Sequence, residues 1–258
     1  NDRPGILLSS AIKRYADLFG VACGEKNILF TNNDSAYETA ISLIKKGINV
    51  EAIIDNREEV DSKLVYEVKK NKVKIFNGFT VTNTSGHKRV NKVSIMQLSK
   101  DGQKVVGSKI DLLCDCLGVS GGWTPAVHLF TQSGGKLKFR EVDQVFIPNT
   151  YPSDQISIGA CNGDLNLDEI ITTIPRTLKK FLNIDNSEYE NIEILSSSNK
   201  SKRNIWLLPS DKVLGKTKSF IDYQNDTTAK DIKLALREGF RSIEHVKRYT
   251  TTGMGTDQ

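Results

Sequence analysis

Apolar positions in residues 5–19 (GILLSSAIKRYADLF) recur at helical spacing, and Gly20 supplies the stop. A strand is expected over Asn27 to Phe30, followed by a polar turn, Thr31-Asn32-Asn33-Asp34-Ser35. Ala36 then opens a second helix, with Ala36, Ala40, Leu43 and Ile44 on one stripe and Gly47 at its end. A second strand, Val50 to Ile54, closes on Asp55 and completes one βαβ unit. Residues 73–76 read as a third strand. Residues 79–82, 90–98 and 104–106 read as an antiparallel meander, with a Ser85-Gly86 tip and an Asp101-Gly102 turn.

Further along, residues 110–117 (IDLLCDCL) form an apolar strand that runs into the loop Gly118 to Pro125. Another strand, Gln155 to Ile158, meets the loop Gly159-Ala160-Cys161-Asn162-Gly163. Helical periodicity resumes near Leu167, and Pro175 is expected to kink or end that helix. Residues 183–204, rich in Asn, Ser, Lys and Glu, read as a linker. Beyond them lies a small helical unit. Thr228 caps a helix with Asp231 three positions on; Ile232, Ala235 and Leu236 form its buried stripe, and Gly239 ends it. A short helix over Ile243 to Arg248 follows.

At 258 residues the chain is long enough for two or more cores. Hydrophobic residues make up 38% and charged residues 26%, and no run approaches the ~18–20 apolar residues of a membrane span. A globular chain with no membrane partner is therefore expected. Asn1-Asp2-Arg3-Pro4-Gly5 has neither an initiator Met nor the pattern of an export signal, so an internal piece of a longer cytoplasmic protein is expected. The net charge of +5 is spread out, with short clusters at 69–72 and Lys247-Arg248. It does not form the aromatic-interleaved basic stripe of a nucleic-acid binder, so no nucleic-acid partner is expected. Cys23, Cys114, Cys116 and Cys161 read as reduced thiols rather than a metal set, because the three histidines are scattered.

Three places could carry chemistry. The first is the turn Thr31–Ala36, where a dinucleotide-binding βαβ unit would carry glycines and where Asp55 stands in the place of the ribose-binding acid. Here Thr31, Asn33 and Ala36 occupy the glycine positions and Asp34 brings a negative charge, which favours a Rossmann-shaped unit that no longer holds a nucleotide. The second is Gly159–Leu167, a Gly-rich loop before a helix. Asp164, Asp168 and Glu169 make that entrance acidic, which suits hydroxyl contacts or plain helix stabilisation better than phosphate. The third is Lys247-Arg248-Tyr249-Thr250-Thr251-Thr252-Gly253-Met254-Gly255-Thr256, which gathers cations, hydroxyls and a Gly-x-Gly turn. It reads either as a phosphate-binding segment or as a terminal turn.

Four segments, Arg3-Pro4-Gly5, ILFTNNDSAYETA (28–40), VSGGWTPAVHLFTQSGGKLKF (119–139) and DYQNDTTAKDIKLALREGFRSIEHVKRYTTTGMGTDQ (222–258), resemble the alpha subunit of heterotetrameric sarcosine oxidases. The resemblance implies an α/β fold: a partial two-domain Rossmann-like FAD/NAD(P)-binding architecture plus a small helical C-terminal unit resembling a bacterioferritin-associated-ferredoxin-like domain. Residues 1–21 would end the first dinucleotide domain, 22–108 would be an inserted, degenerate second one, and 109–182 would return to the first. Residues 183–204 would be the linker and 205–258 the small helical domain.

The resemblance also implies NAD held by Ala160, Leu165 and Leu167. The cluster-binding cysteines of related dehydrogenases fall on Asp222, Gln224 and Asp257, so no iron–sulfur cluster is expected. FMN, shared with a beta subunit, would meet Lys247, Arg248, Thr250, Thr251, Thr252 and Gln258 through its phosphate, and FAD would lie in the beta subunit only. The implied partners are beta, gamma and delta subunits, with tetrahydrofolate on a domain beyond residue 258. The implied reaction is oxidation of sarcosine to glycine and hydrogen peroxide, and no catalytic residue is expected in this chain. A cofactor-free scaffold, or a subunit of a related amine or opine dehydrogenase, is the alternative; the missing Cys-x-Cys argues against the latter. Self-association through exposed core surface is a further expectation.

Overall fold

The computed structural model describes residues 2–152, 154–183 and 204–255. Contacts divide the chain into two compact units: Asn1–Thr31, Ser35–Ser120 and Ile205–Gln258 make one, and Asn32–Asp34 with Gly121–Asn204 make the other. The expected linker lies, at 184–203, outside the described residues.

The first unit begins with β1 (Ile6–Leu8) and α1 (Ser9–Phe19), then alternates β2 (Asn27–Thr31), α2 (Ser35–Lys45), β3 (Val50–Asp55), α3 (Lys63–Lys70) and β4 (Lys74–Asn77). An antiparallel meander follows, β5 (Phe79–Ser85), β6 (Lys92–Leu98) and β7 (Val105–Leu113), and β8 (Cys116–Ser120) returns to the parallel sheet. That sheet has the order β1-β8-β2-β3-β4. All five residues of β2 are buried, as a strand covered on both faces requires. Successive side chains point to opposite faces. Leu29 and Ile53 therefore join Ile12, Tyr37, Leu43 and Val68 under the helices, while Ile28, Phe30, Ala52 and Ile54 meet Val93 and Ile95 of the meander.

Several sequence expectations need correction. The helix expected from residue 5 starts at Ser9, because Ile6–Leu8 pair in parallel with Leu117–Val119. Gly5, at φ 92°, makes the approach: a Cβ there would lie 2.7 Å from the Asp115 carbonyl oxygen. The run 110–117 is not one strand. It breaks at Cys114 and Asp115, where the Asp115 carboxylate accepts the amides of Glu25 and Lys26 at 2.9 and 2.8 Å and turns the chain from meander to parallel sheet. Strands from 1–21 and 109–182 thus share one sheet with those of 22–108. Helix α3, capped by the Ser62 side chain, went unread because only Val65 and Val68 are buried on it. Cys114 and Cys116 are buried free thiols; burial pushes them up to about 11 and about 12.

The second unit holds α4 (His128–Gln132), the hairpin β9 (Lys136–Arg140) and β10 (Val145–Thr150), a 3-10 turn at Gly159–Asn162, and α5 (Leu167–Leu182). Residues 155–158 form no strand, which corrects the strand expected there. Helix α5 runs through Pro175 rather than ending, forgoing only the bond that an amide at 175 would give to the Ile171 carbonyl. None of its residues is buried.

Back in the first unit, β11 (Phe220–Asp222) pairs with β12 (Thr227–Thr228), and α6 (Ala229–Arg237) and α7 (Ile243–Thr250) follow. Thr228 and Asp231 form the expected capping box, and Ala235 is buried. Leu236 is 53% exposed, so it leaves the expected stripe. Among the described residues no helix is long and apolar enough to cross a membrane.

Candidate functional site

At the first candidate site, Thr31 and Asp55 stand side by side at the ends of β2 and β3. Asp55 is wholly buried and Arg57 nearly so. The Arg57 side chain reaches back over its own turn: Nε lies 3.0 and 3.2 Å from the two Asp55 carboxylate oxygens, and Nη2 donates at 2.7 Å. The Arg57 amide donates to Oδ1 at 2.9 Å and the Tyr37 hydroxyl to Oδ2 at 2.9 Å. A carboxylate offers about four acceptor positions, so none is left for ribose hydroxyls. Asn32, Asn33 and Asp34 are buried side chains where a dinucleotide loop would expose glycine backbone. The Asn32 amide donates to the Gly121 carbonyl at 3.0 Å, and Asn33 donates to the Asn32 side chain at 2.9 Å.

At the second candidate site Ala160 lies in the 3-10 turn Gly159–Asn162, Leu165 follows it, and Leu167 opens α5. Gly159 and Gly163 take φ of 74° and 89°, a region where glycine carries no steric penalty. Gly163 and Asp164 donate back to the carbonyls of Ala160 and Gly159, both at 3.1 Å. Ala160 and Leu167 are exposed, and Leu165 is half-buried. Asn166 caps α5 by accepting the Asp168 amide at 3.2 Å. Asp168 and Glu169 then occupy the first turn, where negative charge is favoured.

The third candidate site holds Lys247 and Arg248 in the last turn of α7, with Thr251 in the left-handed region at φ 63°. Among the described residues, no hydrogen bond or ion pair engages Lys247, Arg248 or the Thr251 side chain. Thr250 donates to the Val246 carbonyl at 2.8 Å, so the 2.7 Å bond between Thr250 and Thr252 uses the Thr252 hydroxyl as donor. Both protons are thus committed to shaping the turn. Gln258 and Asp257 lie outside the described residues.

Asp222 and Gln224, the other positions matched to cysteines, face this turn. Asp222 accepts the amides of Gln224 and Asn225 at 2.8 and 2.9 Å and that of Gly253 at 2.7 Å. Backbone donation from Asn225 and Gly253 holds its carboxyl down to about 2. Gly255 lies against the Gln224 side chain, so close that a Cβ would be 2.1 Å from Oε1. Among the described residues no cluster of His, Cys, Asp or Glu could hold a metal ion.

Sequence reading overlooks Tyr37, Arg57 and Arg140. Arg57 left one signal, a cation two places beyond a strand-end acid. Arg140 has an acid three places on, Asp143, but nothing local points to its other partner, Gly163, 23 residues away.

Replacing Arg57 with Leu strands a buried carboxylate, and a stability loss of about 3–5 kcal/mol is expected in urea unfolding. Asp222 has a folded-state value depressed below the ~3.9 of an unfolded aspartate. Its contribution is present in full above that value and fades as pH falls toward about 2. Asp222→Asn should flatten the acid limb of the stability profile in that window, as followed by thermal melting against pH.

A family model described as the sarcosine oxidase A3 domain matches residues 216–258. Sarcosine oxidase subunit alpha of Corynebacterium sp. (strain U-96) is 32% identical over 263 residues, covering all of this chain and 27% of the relative. Its counterpart in Rhizobium meliloti (strain 1021) is 28% identical over 270 residues, covering all of this chain and 25% of the relative. Among solved structures, L-proline dehydrogenase from P. horikoshii aligns with a TM-score of 0.57 at 18% identity, over 99% of this chain and 46% of that one; this is a likeness of fold. The whole length of the chain thus aligns with sarcosine oxidase alpha subunits, about a quarter of whose length it spans, and its carboxyl-terminal segment is similar to their A3 domain.

Proposed function

We propose that this chain forms the dinucleotide-holding and flavin-facing part of a sarcosine oxidase alpha subunit and contains no amine-oxidising site. The whole assembly would oxidise sarcosine to glycine and hydrogen peroxide and pass the one-carbon unit to tetrahydrofolate, working with beta, gamma and delta subunits in the cytoplasm. FAD would lie in the beta subunit. One contrast carries the reading of this chain: the Asp55 carboxylate is filled from within, whereas the turn at 159–167 presents Ala160 and Leu167 at the surface.

In this reading Ala160, Leu165 and Leu167 line NAD, on a loop whose Gly159 and Gly163 supply the positive φ it needs. The acids at the start of α5 suit hydroxyl contacts, so the pyrophosphate would need donors other than this helix entrance. NAD serves as a bound structural group here, and no residue of the chain is assigned a proton or hydride step. Residues 1–21 and 109–182 would belong to the first dinucleotide domain, with 22–108 as the inserted second one.

At the carboxyl end, Lys247, Arg248 and Thr251 keep donors for the FMN phosphate, and Gln258 would join them. Thr250 and Thr252 hold the turn in shape. In this reading no iron–sulfur centre is held here, and what supports it is that Asp222, bonded to three amides, stands where a cysteine thiolate would be needed.

Two measurements test the reading. NAD added to the purified chain should raise its melting temperature and be released as intact NAD on denaturation, identified by mass spectrometry. No shift and no nucleotide would favour the cofactor-free scaffold. In the assembled enzyme, Lys247→Ala with Arg248→Ala should lower FMN content while leaving FAD content unchanged; full FMN retention would remove these two residues from the site.

A further inference from the structure

We propose that Arg140 is the positioning residue of the loop Gly159–Asp164, fixing the shape in which that loop receives a dinucleotide; the ligand rests on the NAD reading above. Arg140 ends β9, and its guanidinium does two things at once. Nε donates to Asp143 Oδ1 at 2.7 Å, and Nη2 donates both to Asp143 Oδ2 and, at 2.8 Å, to the Gly163 carbonyl. Asp143 stands three residues on, across the hairpin turn, and orients the fork before the loop arrives. The planar guanidinium can hold this three-way arrangement because its donors point in fixed directions.

Gly163 is seated without slack. A Cβ there would lie 2.8 Å from Arg140 Nη2 and 2.8 Å from Ile147 Cγ2 of β10, and its φ of 89° already calls for glycine. The Tyr151 hydroxyl, just past β10, holds the next residue back, donating to Asn162 Oδ1 at 3.0 Å. The Tyr151 ring is itself stacked edge-on against Phe130 at 5.0 Å. Asn162 in turn donates to Asp164 at 3.2 Å. Residues 162–164 are therefore anchored to the hairpin, and Ala160 on one side and Leu165 and Leu167 on the other are left where a ligand would meet them. A rigid support of this kind decides how well a loop-borne site is formed.

The test compares the wild-type chain with Arg140→Met, Arg140→Lys and Tyr151→Phe, measuring NAD affinity by equilibrium dialysis and deuterium uptake across 159–164. Arg140→Met should weaken NAD by about tenfold, the loss expected for one charge-assisted bond, and should speed uptake in that loop. Arg140→Lys, which keeps a cation able to reach one acceptor, should regain part of both. Tyr151→Phe removes a single hydroxyl and should give a smaller loss, and it serves where Arg140→Met does not fold. Wild-type affinity and wild-type uptake in Arg140→Met would overturn the proposal and leave the NAD reading standing. A wild-type chain that takes up no NAD would sink the NAD reading instead. The uptake comparison then still decides the clamp, upheld if Arg140→Met exchanges faster and overturned if it does not.

Discussion

A buried aspartate with every acceptor position filled decides what the parallel sheet of this chain can do. Asp55 stands where a Rossmann unit presents an acid to ribose, yet Arg57 and Tyr37 fill it from inside the protein. The two charges lie in a site almost without solvent, where each depends on the other for its hydrogen bonds. The parallel sheet carries helices on one face and the meander on the other, and the Asp55 carboxylate at its end has its acceptors taken up from within. Asn32, Asn33 and Asp34, in the turn after β2, are buried side chains.

A carboxylate filled from within the protein also marks the carboxyl end. Where the family resemblance puts cysteines, Asp222 draws three backbone amides together, among them that of Gly253. The Asp222 carboxylate is one tie between these two loops, through the amides of Gln224, Asn225 and Gly253. Thr227, donating to the Thr250 carbonyl at 3.0 Å, is a second. The loops thus stay closed through hydrogen bonds, and the cations of α7 remain unengaged among the described residues.

Much of this was legible in the sequence. The βαβ unit, the capping box at Thr228 and the meander carry strong local signals: an apolar run of strand length, an acid three places after a threonine, and turn residues at the right spacing. What escaped was decided by contacts distant along the chain. Ile6–Leu8 looks helical until Leu117–Val119 offers a strand to pair with. The run at 110–117 looks continuous until Asp115 finds the amides of Glu25 and Lys26, 90 and 89 residues away. The candidate residues Ala160, Leu165 and Leu167 came from family resemblance rather than pattern, and Arg140 and Tyr151, which bond to Gly163 and Asn162, lie at the end of β9 and just past β10, a hairpin that neither route signalled.

The direct question is which loop a dinucleotide touches. Deuterium exchange of the chain, read by mass spectrometry as NAD is titrated in, separates the two candidates by peptide. Protection at 159–167, with 31–36 and 55–57 unchanged, is the result expected from a closed Asp55 and an exposed Gly159–Leu167 turn. Protection at 31–36 and 55–57, with 159–167 unchanged, would contradict it, since NAD would then have displaced Arg57 from a carboxylate that should have no acceptor to spare.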